Sequence, residues 1–168
     1  ETKQDPGIED PPLTDVGFGQ AEELAERFTE LDIRRIIASP YTRALQTART
    51  VANRLDVPVT VVPDVRERTA YVCDVGTVIS GLSVDWPHLD FAHLEEVWWN
   101  KAEETIPEFH ARCSAFRARM AETEDWKHVA VITHWGFIRS MTGKRVGNAE
   151  LVRCDPHDDH PPLDTTWP

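Results

Sequence analysis

The chain is short of positive charge. It carries 18 Lys and Arg against 29 Asp and Glu, a formal net charge of −11, so it lacks the basic face that binding to nucleic acid or an anionic membrane calls for. Cysteine is scarce as well. Cys73, Cys113 and Cys154 are odd in number and widely spaced, giving neither a disulfide framework nor a CxxC metal pattern, and they point to a reducing, cytoplasmic setting. No apolar run approaches the roughly 18 residues of a membrane helix, and no charged-then-apolar leader is visible, so no membrane contact is expected. A P-loop, a GxSxG elbow and a GxGxxG strand-turn-helix are missing too, which removes the usual NTPase, serine-hydrolase and dinucleotide readings. What remains is 168 residues, 40% hydrophobic and 28% charged: enough for one globular domain with a single sizeable core.

Residues 1–13 are polar and rich in Pro, Asp and Glu, and read as an extended arm. From Thr14, a natural N-cap, the pattern turns helical, with Val16, Ala21, Leu24, Ala25, Phe28 and Leu31 on one stripe. Ile33, Ile36, Ile37 and Ala38 form a short buried strand. Ser39-Pro40 is a helix-start signal, the serine as cap and the proline at the first helical position. The helix it opens buries Tyr41, Ala44, Leu45, Ala48, Ala52 and Leu55. A β-branched run, Val57 to Val62, completes a strand-helix-strand unit, which implies parallel pairing.

Residues 63–104 are irregular and acidic, with Trp86, Trp98 and Trp99 among them, and predict short helices packed as a lid over one edge of a site. Thr105-Ile106-Pro107-Glu108 is a capping box, opening a helix that carries Ile106, Phe109, Cys113, Phe116 and Met120 on one side. Val129 to Ile132 is another buried strand, with a short helix beyond Gly136. Residues 149–154 suggest a last edge strand, and 155–168 a loose, polar tail.

Open α/β sheets bind ligands just past the carboxyl ends of their strands, and two polar groups fall there. Arg43 lies in the first turn of the Ser39-Pro40 helix, where a guanidinium beside free backbone N–H groups and the positive helix end suits a phosphate. His134 follows an apolar strand directly; as imidazolium it can stabilise a transferring phosphoryl group, and as a neutral ring it can act as base or metal ligand. Glu67, between Arg66 and Arg68 after the second strand, is placed to protonate a leaving alkoxide. Each has a plainer reading: a surface arginine at a helix start, a satisfied core histidine, a surface Arg-Glu-Arg triplet. His157-Asp158-Asp159-His160 contains metal-ligand types but reads as a solvated run, so no metal is assigned.

In their order, these motifs resemble the histidine phosphatase superfamily. Asp10-Pro11-Pro12-Leu13-Thr14-Asp15-Val16-Gly17 is similar to that family's D-P-P-L-T-x-x-G helix entry, and Ser39-Pro40-Tyr41-Thr42-Arg43-Ala44-Leu45-Gln46-Thr47-Ala48 to its S-P-x-x-R-A-x-Q-T-A segment. Val65-Arg66-Glu67-Arg68 resembles the stretch carrying the family's acid, and Val131 to Arg139 the strand ending in its second histidine. Cys73-Asp74, Asp90-Phe91 and Val97-Trp98-Trp99 resemble a eukaryotic-looking branch of phosphoglycerate-mutase-like phosphatases.

The resemblance implies an α/β fold, a three-layer αβα sandwich with a mostly parallel central sheet, as one domain over 1–168. It implies hydrolysis of a small phosphorylated metabolite through a phosphohistidine, without metal or other cofactor. Arg43 would clamp phosphate, His134 and Trp135 would complete the phosphate pocket, and Glu67 would be the acid. The family's nucleophile lies in an Arg-His-Gly segment ending its first strand, and Glu1 to Glu9 hold neither that segment nor an apolar strand. With Glu1 first and methionine only at Met120 and Met141, further sequence upstream is expected. The printed chain by itself is expected to turn over little or no substrate, and its sheet to need a partner strand or a homodimer. The rival expectation is a pseudophosphatase that binds a phosphorylated ligand or a protein partner.

Overall fold

The computed structural model describes residues 7–163. Helix α1 (Asp15–Phe28) starts where the sequence predicts: the Thr14 hydroxyl accepts from the Gly17 N–H at 3.1 Å. It buries Ala21, Leu24, Ala25 and Phe28 but leaves Val16 72% exposed. Strand β1 (Arg35–Ala38), helix α2 (Thr42–Leu55) and strand β2 (Val59–Val61) form the expected unit. Asp56 closes α2 in the left-handed conformation that a short polar side chain tolerates. Residues 63–104 hold two single-turn 3-10 helices, Pro63–Val65 and Val72–Asp74, and helix α3 (Ile79–Asp85). Helix α4 (Ile106–Ala121) opens on the Thr105/Glu108 capping box, strand β3 (Val129–Ile132) follows, and helix α5 (Trp135–Thr142) ends on Gly143 at φ 69°.

The strands pair in the order β2-β1-β3, all parallel, with Ala38 opposite both Val61 and Ile132. Because strand side chains alternate between faces, Ile36 and Ala38 enter one core with α1 and α2, while Ile37 enters the other with Val65 and helices α4 and α5. Helices therefore cover both faces of the parallel sheet, and the fold is a three-layer α/β sandwich.

Three expectations are corrected. Ser39 does not cap α2: the helix begins three residues later, with Tyr41 at the cap position and no side-chain bond from it. The Asp10 carboxylate does that work from a distance, accepting from the Thr42 N–H at 2.8 Å and the Thr42 hydroxyl at 2.7 Å. Residues 149–154 form no strand, because Ala149 sits at φ 52°, which an extended chain cannot contain. Of the tail expected to be loose, residues 164–168 lie outside the described residues, while 155–163 are tied down: Arg117 on α4 donates to the carbonyls of Asp155 (2.7 Å) and Asp158 (3.0 Å).

Candidate active site

Two adjacent parallel strands end together, and the residues just past them meet. The Ser39 N–H donates to the Ile132 carbonyl at 3.1 Å, and the Ser39 hydroxyl lies 2.8 Å from His134 Nε2. His134 is the N-cap residue of α5, in extended conformation, and its ring is buried. It meets the Tyr41 ring edge-on, centroids 5.1 Å apart at 89°. The Arg43 guanidinium lies 4.3 Å from the centroid of the same ring. Tyr41 is thus the shared wall that sets the arginine and the histidine in one register. Burial pushes its phenol well above the usual range, so the hydroxyl stays protonated and donates to the Asp74 carbonyl at 2.5 Å.

Arg43 reaches the cavity from the first turn of α2, as the sequence suggests, but its surroundings differ. It donates to the Cys73 carbonyl at 3.0 Å and pairs with the fully buried Asp74 carboxylate at 3.4 Å. The helix end beside it is not open to a ligand at Thr42, whose N–H is held by Asp10. Glu67 is buried, with one carboxylate oxygen accepting from the Arg68 N–H at 3.0 Å and the other from Gly136 N–H in the first turn of α5 at 3.1 Å. That second bond sets the carboxylate at the start of the helix that His134 caps. The arginines flanking Glu67 pair with other carboxylates: Arg66 lies 3.6 Å from Glu104 and Arg68 3.0 Å from Glu103. Burial first, then the neighbouring Arg112, brings Arg66 below the usual arginine range, with Glu104 opposing.

Arg43, Glu67, His134 and Trp135 line one cavity of about 1000 Å³. It runs from the strand ends along the outer edge of β3, between α1 on one side and α5 on the other. Among the described residues no strand pairs with that edge. The His157–His160 run is not gathered into a metal site: His157 contacts Asp155 and Trp126, His160 packs on His110, and no group of three metal-ligating side chains occurs among the described residues.

The sequence matches the family model of the histidine phosphatase superfamily (branch 1) over residues 2–155. The chain belongs to this superfamily. It is 27% identical over 147 residues to an adenosylcobalamin/alpha-ribazole phosphatase of Salmonella typhi, a match covering 79% of this chain and 66% of that protein. A probable phosphoglycerate mutase of Enterobacter sp. (strain 638) is 35% identical over 95 residues, 56% of this chain and 39% of that one. The chain thus spans about two thirds of the length of the alpha-ribazole phosphatases it matches. Among solved structures, the Bombix mori ecdysone phosphate phosphatase in complex with tungstate superimposes with a TM-score of 0.60 at 25% identity, over 79% of this chain and 55% of that one. A mycobacterial glucosyl-3-phosphoglycerate phosphatase with inorganic phosphate shares the fold, with a TM-score of 0.55 at 22% identity over 80% and 70%.

Several residues around this candidate site escape sequence reading. Ser39 reads as a helix cap, yet its hydroxyl faces His134. Tyr41 reads as helix filler and becomes the wall between Arg43 and His134. Trp98, placed by its acidic neighbours in a lid, is buried behind Tyr41 with ring centroids 4.7 Å apart. A signal existed for one of them: a serine directly after an apolar strand in a parallel sheet stands where ligands bind.

Proposed function

We propose that this chain carries the phosphate-binding and proton-donating part of a phosphomonoesterase acting on a small phosphorylated metabolite through a phosphohistidine. The observation that carries the reading is the convergence of Arg43, His134 and Glu67 on one cavity in a member of the histidine phosphatase superfamily. Arg43 clamps the phosphate, and His134, with Trp135 beside it, neutralises the equatorial oxygens. The nucleophile is the imidazole of an Arg-His-Gly segment, delivered by a strand lying along the outer edge of β3. Its nitrogen attacks phosphorus while the ester P–O bond breaks, and Glu67 gives its proton to the departing oxygen. Water then attacks the phosphohistidine, Glu67 takes the water proton, and inorganic phosphate leaves with the histidine restored. The reaction needs no metal.

The relatives named as phosphatases of alpha-ribazole and of ecdysone phosphate support a phosphate ester of a small compound as substrate. Cys73, Cys113 and Cys154 are not in disulfides, which fits the reducing, cytoplasmic setting of this reading. The competing reading is a domain that binds a phosphorylated ligand or a partner without turnover.

Calorimetry with inorganic phosphate and turnover of p-nitrophenyl phosphate separate the two. The chain on its own is expected to bind phosphate and turn over nothing. A protein that includes the upstream strand is expected to hydrolyse the ester, with His134→Ala and Arg43→Ala each lowering kcat by about 100-fold or more. Turnover near the wild-type rate in either variant removes the role assigned to that residue, and phosphate binding with no turnover by the longer protein leaves the pseudophosphatase.

A further inference from the structure

The loop that presents Glu67 is held by side chains rather than by secondary structure. Past the 3-10 turn Pro63–Val65 the chain leaves the sheet, and the carbonyls of residues 64 to 67 all accept hydrogen bonds from side chains elsewhere. Arg112, on the α4 face turned toward that turn, donates Nη1 to the carbonyls of Asp64 (2.7 Å) and Arg66 (3.0 Å), and Nη2 to the carbonyl of Glu67 (3.4 Å). The Val65 carbonyl accepts from the Thr133 hydroxyl at 2.5 Å, one residue before His134. The remaining donors of Arg112 go to Glu104, Nε at 2.9 Å and Nη2 at 2.5 Å.

A guanidinium has five N–H donors in a fixed planar fork, and here all five have acceptors within the protein. Arg112 is 11% exposed and Glu104 3%, so the pair is desolvated, and the geometry is costly unless it is complete. An arginine so committed has nothing left for a substrate phosphate. Its three carbonyl bonds fix the backbone on both sides of residue 66, and that backbone fixes where the Glu67 carboxylate meets Gly136 N–H.

We infer that Arg112 is the positioning residue for Glu67: it clamps the 64–67 loop so that the carboxylate stands at the start of α5 beside His134. The inference rests on the acid role proposed above, but its geometric half is independent of that role. A lysine at 112 keeps a cation for Glu104 but cannot span three carbonyls, so Arg112→Lys loosens the loop while retaining the buried charge pair. Arg112→Gln is a second, uncharged variant that still donates to one carbonyl and leaves Glu104 to Arg66.

Two measurements test it, after thermal melts have shown which variants fold. In the chain as it stands, NMR hydrogen exchange reads the Gly136 amide, which donates to Glu67, against the Ile138 amide, which donates to the His134 carbonyl. Either variant is expected to speed Gly136 exchange by about tenfold and leave Ile138 within about twofold. In the protein that carries the upstream strand, kcat is compared for phenyl phosphate, a poor leaving group, and p-nitrophenyl phosphate, a good one. Arg112→Lys is expected to cost about tenfold more with the poor leaving group, with KM within about twofold, and to add little to Glu67→Gln. Unchanged Gly136 exchange overturns the positioning role whatever the kinetics. Equal losses on both esters in Arg112→Lys, with a leaving-group-selective loss in Glu67→Gln, overturn it as well. If Gly136 exchange speeds up but Glu67→Gln shows no leaving-group preference, the clamp stands and the acid reading falls.

Discussion

At the scale of single residues, the site is built by contacts across the chain, and Gly76 shows how tightly. A Cβ added there would stand 2.3 Å from the Trp98 ring. Trp98 in turn donates its indole N–H to the Thr77 carbonyl at 2.8 Å and backs the Tyr41 ring. The tryptophan therefore cannot retreat without releasing Tyr41. Gly76→Ala is expected to destabilise the protein by about 1–3 kcal/mol, the usual cost of overpacking a filled core, as read from the urea midpoint; an unchanged midpoint would mean that the ring has room to move. The side chains most open to sequence reading were those whose roles are local. Arg43 and His134 stand in the motifs that mark strand ends, and the structure puts both on the cavity. Ser39, Tyr41 and Arg112 were not legible, because each acts through a partner 30 or more residues away: Ser39 through His134, Tyr41 through Asp74, Arg112 through the loop before Glu67.

At the scale of elements, periodicity identified the helices and strands, and the errors lie at their ends. Helix α2 was expected to begin at Ser39 because serine and proline are local start signals. Its start is set instead by Asp10, which caps it across 32 residues and also accepts from the Thr77 hydroxyl at 2.7 Å. One carboxylate thus joins the entry to α1, the start of α2 and the segment before α3. Asp10→Ala is expected to cost about 1–2 kcal/mol, the upper range for a lost helix cap, because it also strands Thr42 and Thr77; a loss within about 0.3 kcal/mol by chemical denaturation would reduce Asp10 to a surface contact. The strand expected over 149–154 failed for a reason that hydropathy does not carry. Apolar residues stand there, but the Gly147 N–H bonds to the Glu150 carboxylate and Ala149 turns left-handed, so the chain bends where a strand would run straight.

At the scale of the whole molecule, the alternation of strands and helices predicted an α/β sandwich, and the parallel three-stranded sheet with helices on both faces is that fold. The segment around His160 is fastened to α4, the His160 ring meeting His110 edge-on with centroids 4.4 Å apart. Burial foremost, then the charges of His110 and Arg117, hold the His160 pKa below its ordinary 6.5, while a bond to the Pro161 carbonyl opposes. A base whose folded pKa lies below its unfolded value binds fewer protons when folded, so stability rises with pH across that gap. Stability is therefore expected to be full above about pH 6.5 and to decline as the pH falls below it, until His160 is protonated in the folded state too. His160→Phe should flatten this part of the curve in thermal melts taken across that range; an unchanged slope would move the effect to another group.

The outer edge of β3 has one more consequence. Each residue of an added strand fills about 3.3 by 4.8 by 10 Å, so the cavity along β3 has room for about six such residues. Where the strand arrives from a separate polypeptide, it acts as a ligand of the native state alone, and mass action governs the fold: each tenfold rise in free strand beyond saturation adds about 1.4 kcal/mol to stability. Covalent continuity with the strand replaces that concentration by a fixed effective one. On the proposal that a strand is added along β3, the same sandwich is either a dose-dependent assembly or a self-contained domain, according to how that strand is supplied.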